Sequence, residues 1–186
     1  MKKAIHSSLM IIIIASIALF IFENMQFNQY TSYQKNNETE DMNISINEDA
    51  PVKSYAEIEI AAPAEKVWQI LTTINDWPTW QSEVTEANLR EDLKEGSEFK
   101  WKAGGLSFSS KIHTVSPKIK FGWTGRTFGA SAIHNWYFEE EGEKTVIKVE
   151  ESLQGVFPQL FKDYFQNNLD KGVQKNLHEL KRASEK

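Results

Sequence analysis

Ser131–Gly155 reads SAIHNWYFEEEGEKTVIKVEESLQG and divides into two alternating halves around a turn at Glu141-Gly142. Before the turn, Ala132, His134, Trp136 and Phe138 alternate with Ser131, Asn135 and Glu139. After it, Thr145, Ile147, Val149, Glu151 and Leu153 alternate with Lys148, Glu150, Ser152 and Gln154. A period of two marks strands with one buried face. A two-residue loop predicts Phe138 opposite Thr145, Trp136 opposite Ile147, His134 opposite Val149 and Ala132 opposite Glu151. The shared face is aromatic and aliphatic, with one histidine and one glutamate set into it.

C-terminal to this hairpin, Phe161, Phe165, Leu169, Val173, Leu177 and Leu180 recur at steps of four and three. That spacing predicts one helix over Phe157–Ala183, about 40 Å long at ~1.5 Å per residue, lying across the sheet. Gly172 sits inside it at a cost of about 1 kcal/mol relative to alanine. Close packing on a bulky sheet residue such as Trp136 would explain it, and so would room for a ligand.

N-terminal to the hairpin, Tyr55–Ala61 alternates as a first strand, and Val67, Trp68, Ile70, Leu71 and Ile74 mark a three-turn helix that ends before Pro78. Trp77 and Trp80 flank a short turn that plugs one end of the domain. Glu83–Leu89, Ser97–Ala103, Leu106–Val115 and Lys118–Gly125 are four further strands separated by short Gly- and Pro-containing turns. Six strands after the first helix imply a meander-like antiparallel sheet. A strongly curved sheet of this kind gripping a long helix encloses a cavity between the two.

The 186 residues suffice for one such domain plus appendages. A net charge of −5 gives no basic footprint for nucleic acid. The absence of cysteine removes disulfides, thiolate metal sites and a cysteine nucleophile. Leu9–Phe22, LMIIIIASIALFIF, carries no charge, and with its polar shoulder Ala4–Ser8 approaches the ~20 residues that span a bilayer. Lys2 and Lys3 precede it, which predicts a cytoplasmic N-terminus and a folded domain on the other side, or a secreted domain if the segment is cleaved. The expected organisation is therefore a membrane anchor over residues 1–25, a disordered polar tether over 26–53 and a folded domain over 54–186.

The order strand, helix, turn, six strands and long C-terminal helix, together with IEIAAPAEKVWQILTTINDWPTW, FGWTGRTFG and HNWYF…KTVIKVEES…G, resembles one superfamily. It is similar to the START/Bet v 1-like (SRPBCC) superfamily, in its bacterial polyketide cyclase/dehydrase-like branch, from Ser54 to about Arg182. The resemblance implies an α+β helix-grip fold, a curved seven-stranded antiparallel sheet wrapped around a long C-terminal helix. It also implies a cavity that takes lipids, quinones, hormones or aromatic polyketides. Only some members of the superfamily catalyse cyclisation or dehydration, and no catalytic signature transfers residue by residue.

The candidate chemistry is sparse. His6, His113 and His178 have no metal-ligand neighbours at usable spacing, and no phosphate loop or nucleophile elbow is present, so no metal and no cofactor is expected. His134 and Glu151 lie within side-chain reach in the predicted hairpin; they are candidates for general acid/base chemistry or for a structural ion pair. Phe99, Trp101, Phe108, Phe121, Trp123 and Trp136 supply core and, with Phe165, a wall for a flat apolar ligand. Ser110 offers a hydroxyl, Gly172 space, and Arg126, read as a loop residue after the Trp123 strand, a cation for an acidic head group. The expected partners are a hydrophobic small molecule and, through the anchor, a membrane. A domain acting through its surface, with the cavity filled by its own tryptophans, is the third reading.

Overall fold

A computed structural model describes residues 17–18, 21–22, 24–32 and 43–186. Residues 24–32 form helix α1. The folded domain opens with β1 (Val52–Ile60), α2 (Ala64–Thr72), a 3-10 turn at Ile74–Asp76 and the one-turn α3 (Trp77–Trp80). The meander follows as β2 (Val84–Leu89), β3 (Glu98–Ala103), β4 (Leu106–Ser116), β5 (Lys120–Thr127), β6 (Ala130–Glu141) and β7 (Lys144–Gln154). Two helices close the chain, α4 (Val156–Leu160) and α5 (Lys162–Ser184).

All seven strands join one antiparallel sheet in the order β1-β7-β6-β5-β4-β3-β2, the α+β helix-grip arrangement. Bulges between Val84 and Glu86 and between Ile112 and Thr114 bend β2 and β4. The inner face carries the core. Trp68 of α2 stands edge-on to Phe121 and Phe138, with ring centroids 6.0 and 5.3 Å away. Trp77 plugs the same end as expected, against Phe99, Trp101 and Trp123 at 5.5–5.7 Å, with its indole N–H donated to Leu71 O. Val173, Leu177 and Leu180 of α5 complete this cluster.

Three expectations need correction. The hairpin loop is Gly142-Glu143 rather than Glu141-Gly142, because Glu141 pairs with Lys144. Gly142 has φ 66°, which suits the first position of a tight hairpin loop. The register therefore moves by two residues: His134 faces Glu151 directly, Trp136 faces Val149 and Phe138 faces Ile147. A slip of two keeps every side chain on its expected face.

The C-terminal helix is two helices. Phe161, at φ −125° and ψ 45°, interrupts it. Phe157 N–H in α4 is bonded to Gly129 O at the β5–β6 turn, whereas α5 runs along β1; one straight helix cannot do both.

Residues 43–50 are not a free tether. Ile44 and Ile46 are buried with Phe27 and Ile133 on the outer face of the sheet. Asn135 Nδ2 donates to Ile44 O at 3.0 Å, Asn47 N–H to Ser152 Oγ at 3.0 Å and Tyr30 Oη to Ile46 O at 2.9 Å. Ile133 points away from the core and leaves an apolar patch that two isoleucines cover, and β1 begins at Val52, ahead of the expected Tyr55. The expected span Leu9–Phe22 lies largely outside the described residues. Among those residues no helix is long and apolar enough to cross a membrane.

Candidate ligand cavity

The site grows out of the parity of β5, β6 and β7. On β6 the inner side chains run Phe138, Trp136, His134, Ala132 and Ala130 from the α2 end outward. On β5 they run Phe121, Trp123 and Gly125 in the same direction. Bulk gives way to small residues on both strands. Gly172 of α5 faces that same region, and a Cβ placed on it would meet nothing within 4 Å. Open space, not close packing, accounts for this glycine.

The result is a cavity of about 260 Å³ between the sheet and α5. It falls a little below the ~300–1,000 Å³ usual for small-molecule sites. Trp101 and Phe108, stacked at 4.4 Å, form one wall. Trp123, Leu153, Phe165 and Leu169 supply most of the remaining apolar lining, and Leu106 lies where the cavity meets solvent.

His134 and Glu151 form a hydrogen-bonded pair in this lining, whose other polar residues include Gln81, Glu83, Asn168 and Asn176. His134 Nδ1 lies 3.0 Å from Glu151 Oε2. Because a carboxylate only accepts, Nδ1 carries a proton, and Nε2 is the ring nitrogen that Glu151 does not engage. The imidazole is held between two indoles, stacked on Trp123 at 4.4 Å and parallel to Trp136 within 7° at 5.4 Å. It is 7% exposed, and Nε2 has no hydrogen-bond partner. A buried polar atom left unsatisfied costs about 1–3 kcal/mol.

Seven of the expected site residues meet here: Trp101, Phe108, Trp123, His134, Glu151, Phe165 and Gly172. Phe99, Phe121 and Trp136 belong to the packed core instead. Ser110 sits behind the wall, its Oγ accepting the Trp101 indole N–H at 3.0 Å. Arg126 is on the other side of the sheet. β5 continues to Thr127, so alternation turns Gly125 inward and Arg126 outward, where the guanidinium lies over the Phe27 ring at 5.2 Å and bonds Asn28. Burial there lowers its pKa, and the arginine cannot reach a head group in the cavity. Ala103, Gly125, Ala130 and Ala132 are the cavity residues that reading for aromatic walls overlooks; their signal is small size at inward positions. No group of three His, Cys, Asp or Glu among the described residues could hold a metal.

No curated protein sequence significantly resembles this chain. Solved structures do share its fold. The hypothetical protein jhp0584 of Helicobacter pylori superposes with a TM-score of 0.63 at 19% identity, over 81% of this chain and 93% of that one. The Zhui aromatase/cyclase of Streptomyces sp. R1128 gives 0.65 at 11% identity, over 72% of this chain and 93% of its own. The protein TTHA0849 of Thermus thermophilus gives 0.62 at 17% identity, over 71% and 96%. The family model for polyketide cyclase / dehydrase and lipid transport proteins matches residues 51–185, the whole of the sheet and both C-terminal helices, and the chain belongs to that family.

Proposed function

We propose that this protein is a membrane-tethered carrier or sensor that holds an apolar small molecule bearing one hydroxyl, without converting it. The observation that carries the reading is a largely apolar cavity with the hydrogen-bonded His134–Glu151 pair in its lining, the second ring nitrogen of His134 having no partner. The family's description as polyketide cyclase, dehydrase and lipid transport proteins supports a lipid-, quinone- or polyketide-like guest. The uncharged run Leu9–Phe22 behind Lys2 and Lys3 supports a retained single span, with the domain over 54–186 on the non-cytoplasmic side. Such a tether keeps the cavity at high effective concentration over membrane-soluble guests. Cleavage of the segment would give a secreted form with the same cavity.

Trp101 and Trp123 line the cavity, so guest binding is readable as tryptophan quenching. Full-length protein in nanodiscs, titrated with a short-chain quinol and a brominated fatty acid, should show saturable quenching. No saturable response to lipids, quinones or aromatic ketones would defeat the carrier reading and favour a domain that acts through its surface.

One geometric fact favours a second reading. The 3.0 Å His134–Glu151 contact is the arrangement of a general base oriented by a carboxylate, the pair a cyclase or dehydratase would use. On that reading Glu151→Gln abolishes turnover of a real substrate while leaving its binding intact; the carrier reading predicts no turnover to lose.

A further inference from the structure

Beyond binding a guest, the molecule has a built direction of entry. We infer that the mouth of the cavity docks on the surface of the phospholipid bilayer that holds Leu9–Phe22, so that the guest passes from lipid to cavity without crossing bulk water. This inference rests on the membrane-tether reading above.

The first observation is an apolar rim. Phe128 is 78% exposed, Leu160 66% and Tyr164 66%, with Leu106 and Phe161 also exposed. They come from the first residue of β4, the β5–β6 turn, the end of α4, the α4–α5 junction and the start of α5, and they converge at one end of the domain. Phe128 packs on Phe157 at 5.7 Å, Tyr164 packs on Phe165 at 5.6 Å, and Leu106 and Phe165 themselves line the cavity. Neither 127–130 nor 156–161 contains a charge. Aromatic and aliphatic side chains on uncharged turns are the chemistry of the bilayer interface.

The second observation is where the N-terminal chain leaves the domain. Thr31 and Ser32 at the C-terminal end of α1 lie near Lys111 and His113, part-way down the sheet. Asn28 is bonded to Arg126. Asn24, at the other end, sits in a cleft with Gly129, Ser131, Gly155 and Val156. The helix is therefore directed toward the rim, and Phe22, the last residue of the apolar run, stands two positions before Asn24. Arg126, Phe27, Ile44 and Ile46 fasten this segment to the outer face and set its direction. Among the described residues, every exposed large apolar side chain except Tyr55 and Ile119 belongs either to this N-terminal helical stretch or to the rim. Since the span supplies the affinity, the rim needs only a shallow insertion.

The chain has no cysteine, so single labels can be placed without background. Full-length Phe128→Cys, Leu160→Cys and Ile119→Cys would each carry an environment-sensitive dye and be reconstituted in phosphatidylcholine vesicles containing spin-labelled lipid. Ile119 is in the β4–β5 turn, the length of β4 from the rim, roughly 35 Å at ~3.3 Å per residue. The proposal expects a blue shift and lipid-dependent quenching at 128 and 160, and neither at 119. Phe128→Glu combined with Leu160→Cys should lose the quenching while the protein still floats with vesicles. Flotation with all three labels equally unquenched overturns the docking but leaves the tether. Failure to float overturns the tether and the docking with it. A blue shift that persists without lipid and grows with protein concentration assigns the rim to a second copy and also overturns the proposal.

Discussion

The two ends of the inner face differ in one respect, side-chain volume. At the α2 end Phe121, Phe138, Trp68 and Trp77 fill the space under Leu177 and Leu180. At the other end, on the same strands and the same helix, the inward residues are Gly125, Ala130, Ala132 and Gly172, and a cavity of about 260 Å³ remains. His134 stands at the border, stacked on two tryptophans with its Nε2 unpartnered. The closed end carries the stability of the fold, and the open end is free to hold a guest. Empty space that coincides with small residues on three separate elements is patterned, not a packing defect.

If that division holds, mutations at the two ends should separate stability from binding. The largest stability effect is expected from Trp77→Ala. It removes a buried indole with four aromatic and backbone partners and should cost about 3–5 kcal/mol, lowering Tm by roughly 10–15 °C in a thermal melt. Gly172→Phe should do the reverse. A ring built into open space leaves Tm nearly unchanged but occupies the cavity, weakening guest binding by more than about tenfold, or ~1.4 kcal/mol, in the quenching titration.

A smaller effect tests the border. His134→Phe keeps a ring between Trp123 and Trp136 but removes Nε2. Affinity for a hydroxylated guest should fall about two- to tenfold, the ~0.5–1.5 kcal/mol of one hydrogen bond, while a guest lacking the hydroxyl is unaffected. Equal losses for both guests would show that the histidine only packs. The smallest change is Gly172→Ala. It should stabilise α5 by about 0.8–1 kcal/mol, raising Tm by a few degrees, with little change in binding.

Much of this is legible in the residues, for physical reasons that also mark where reading fails. Alternation places seven strands and the correct inward residues on β3 to β7, because burying one face of a sheet forces a period of two. The same period is blind to a slip of two, so it assigns His134 and Glu151 to the right face with the wrong partners unless Gly142 is taken to open the loop. Arg126 is misplaced when its strand is ended two residues early, at Gly125 rather than Thr127; extending the alternation turns the guanidinium outward. Phe27, Ile44 and Ile46 escape notice because a window average over Asn, Gln and Glu hides three large apolar residues that meet only in three dimensions. The aromatics draw attention to the walls, whereas the cavity itself is made by residues with little or no side chain.

The most direct test is native mass spectrometry of the full-length protein released from nanodiscs, with organic extraction of whatever it carries, alongside Gly172→Phe. The account predicts a stoichiometric apolar adduct on the wild-type chain and none on the variant. An empty wild-type protein, or the same adduct on both, would contradict it.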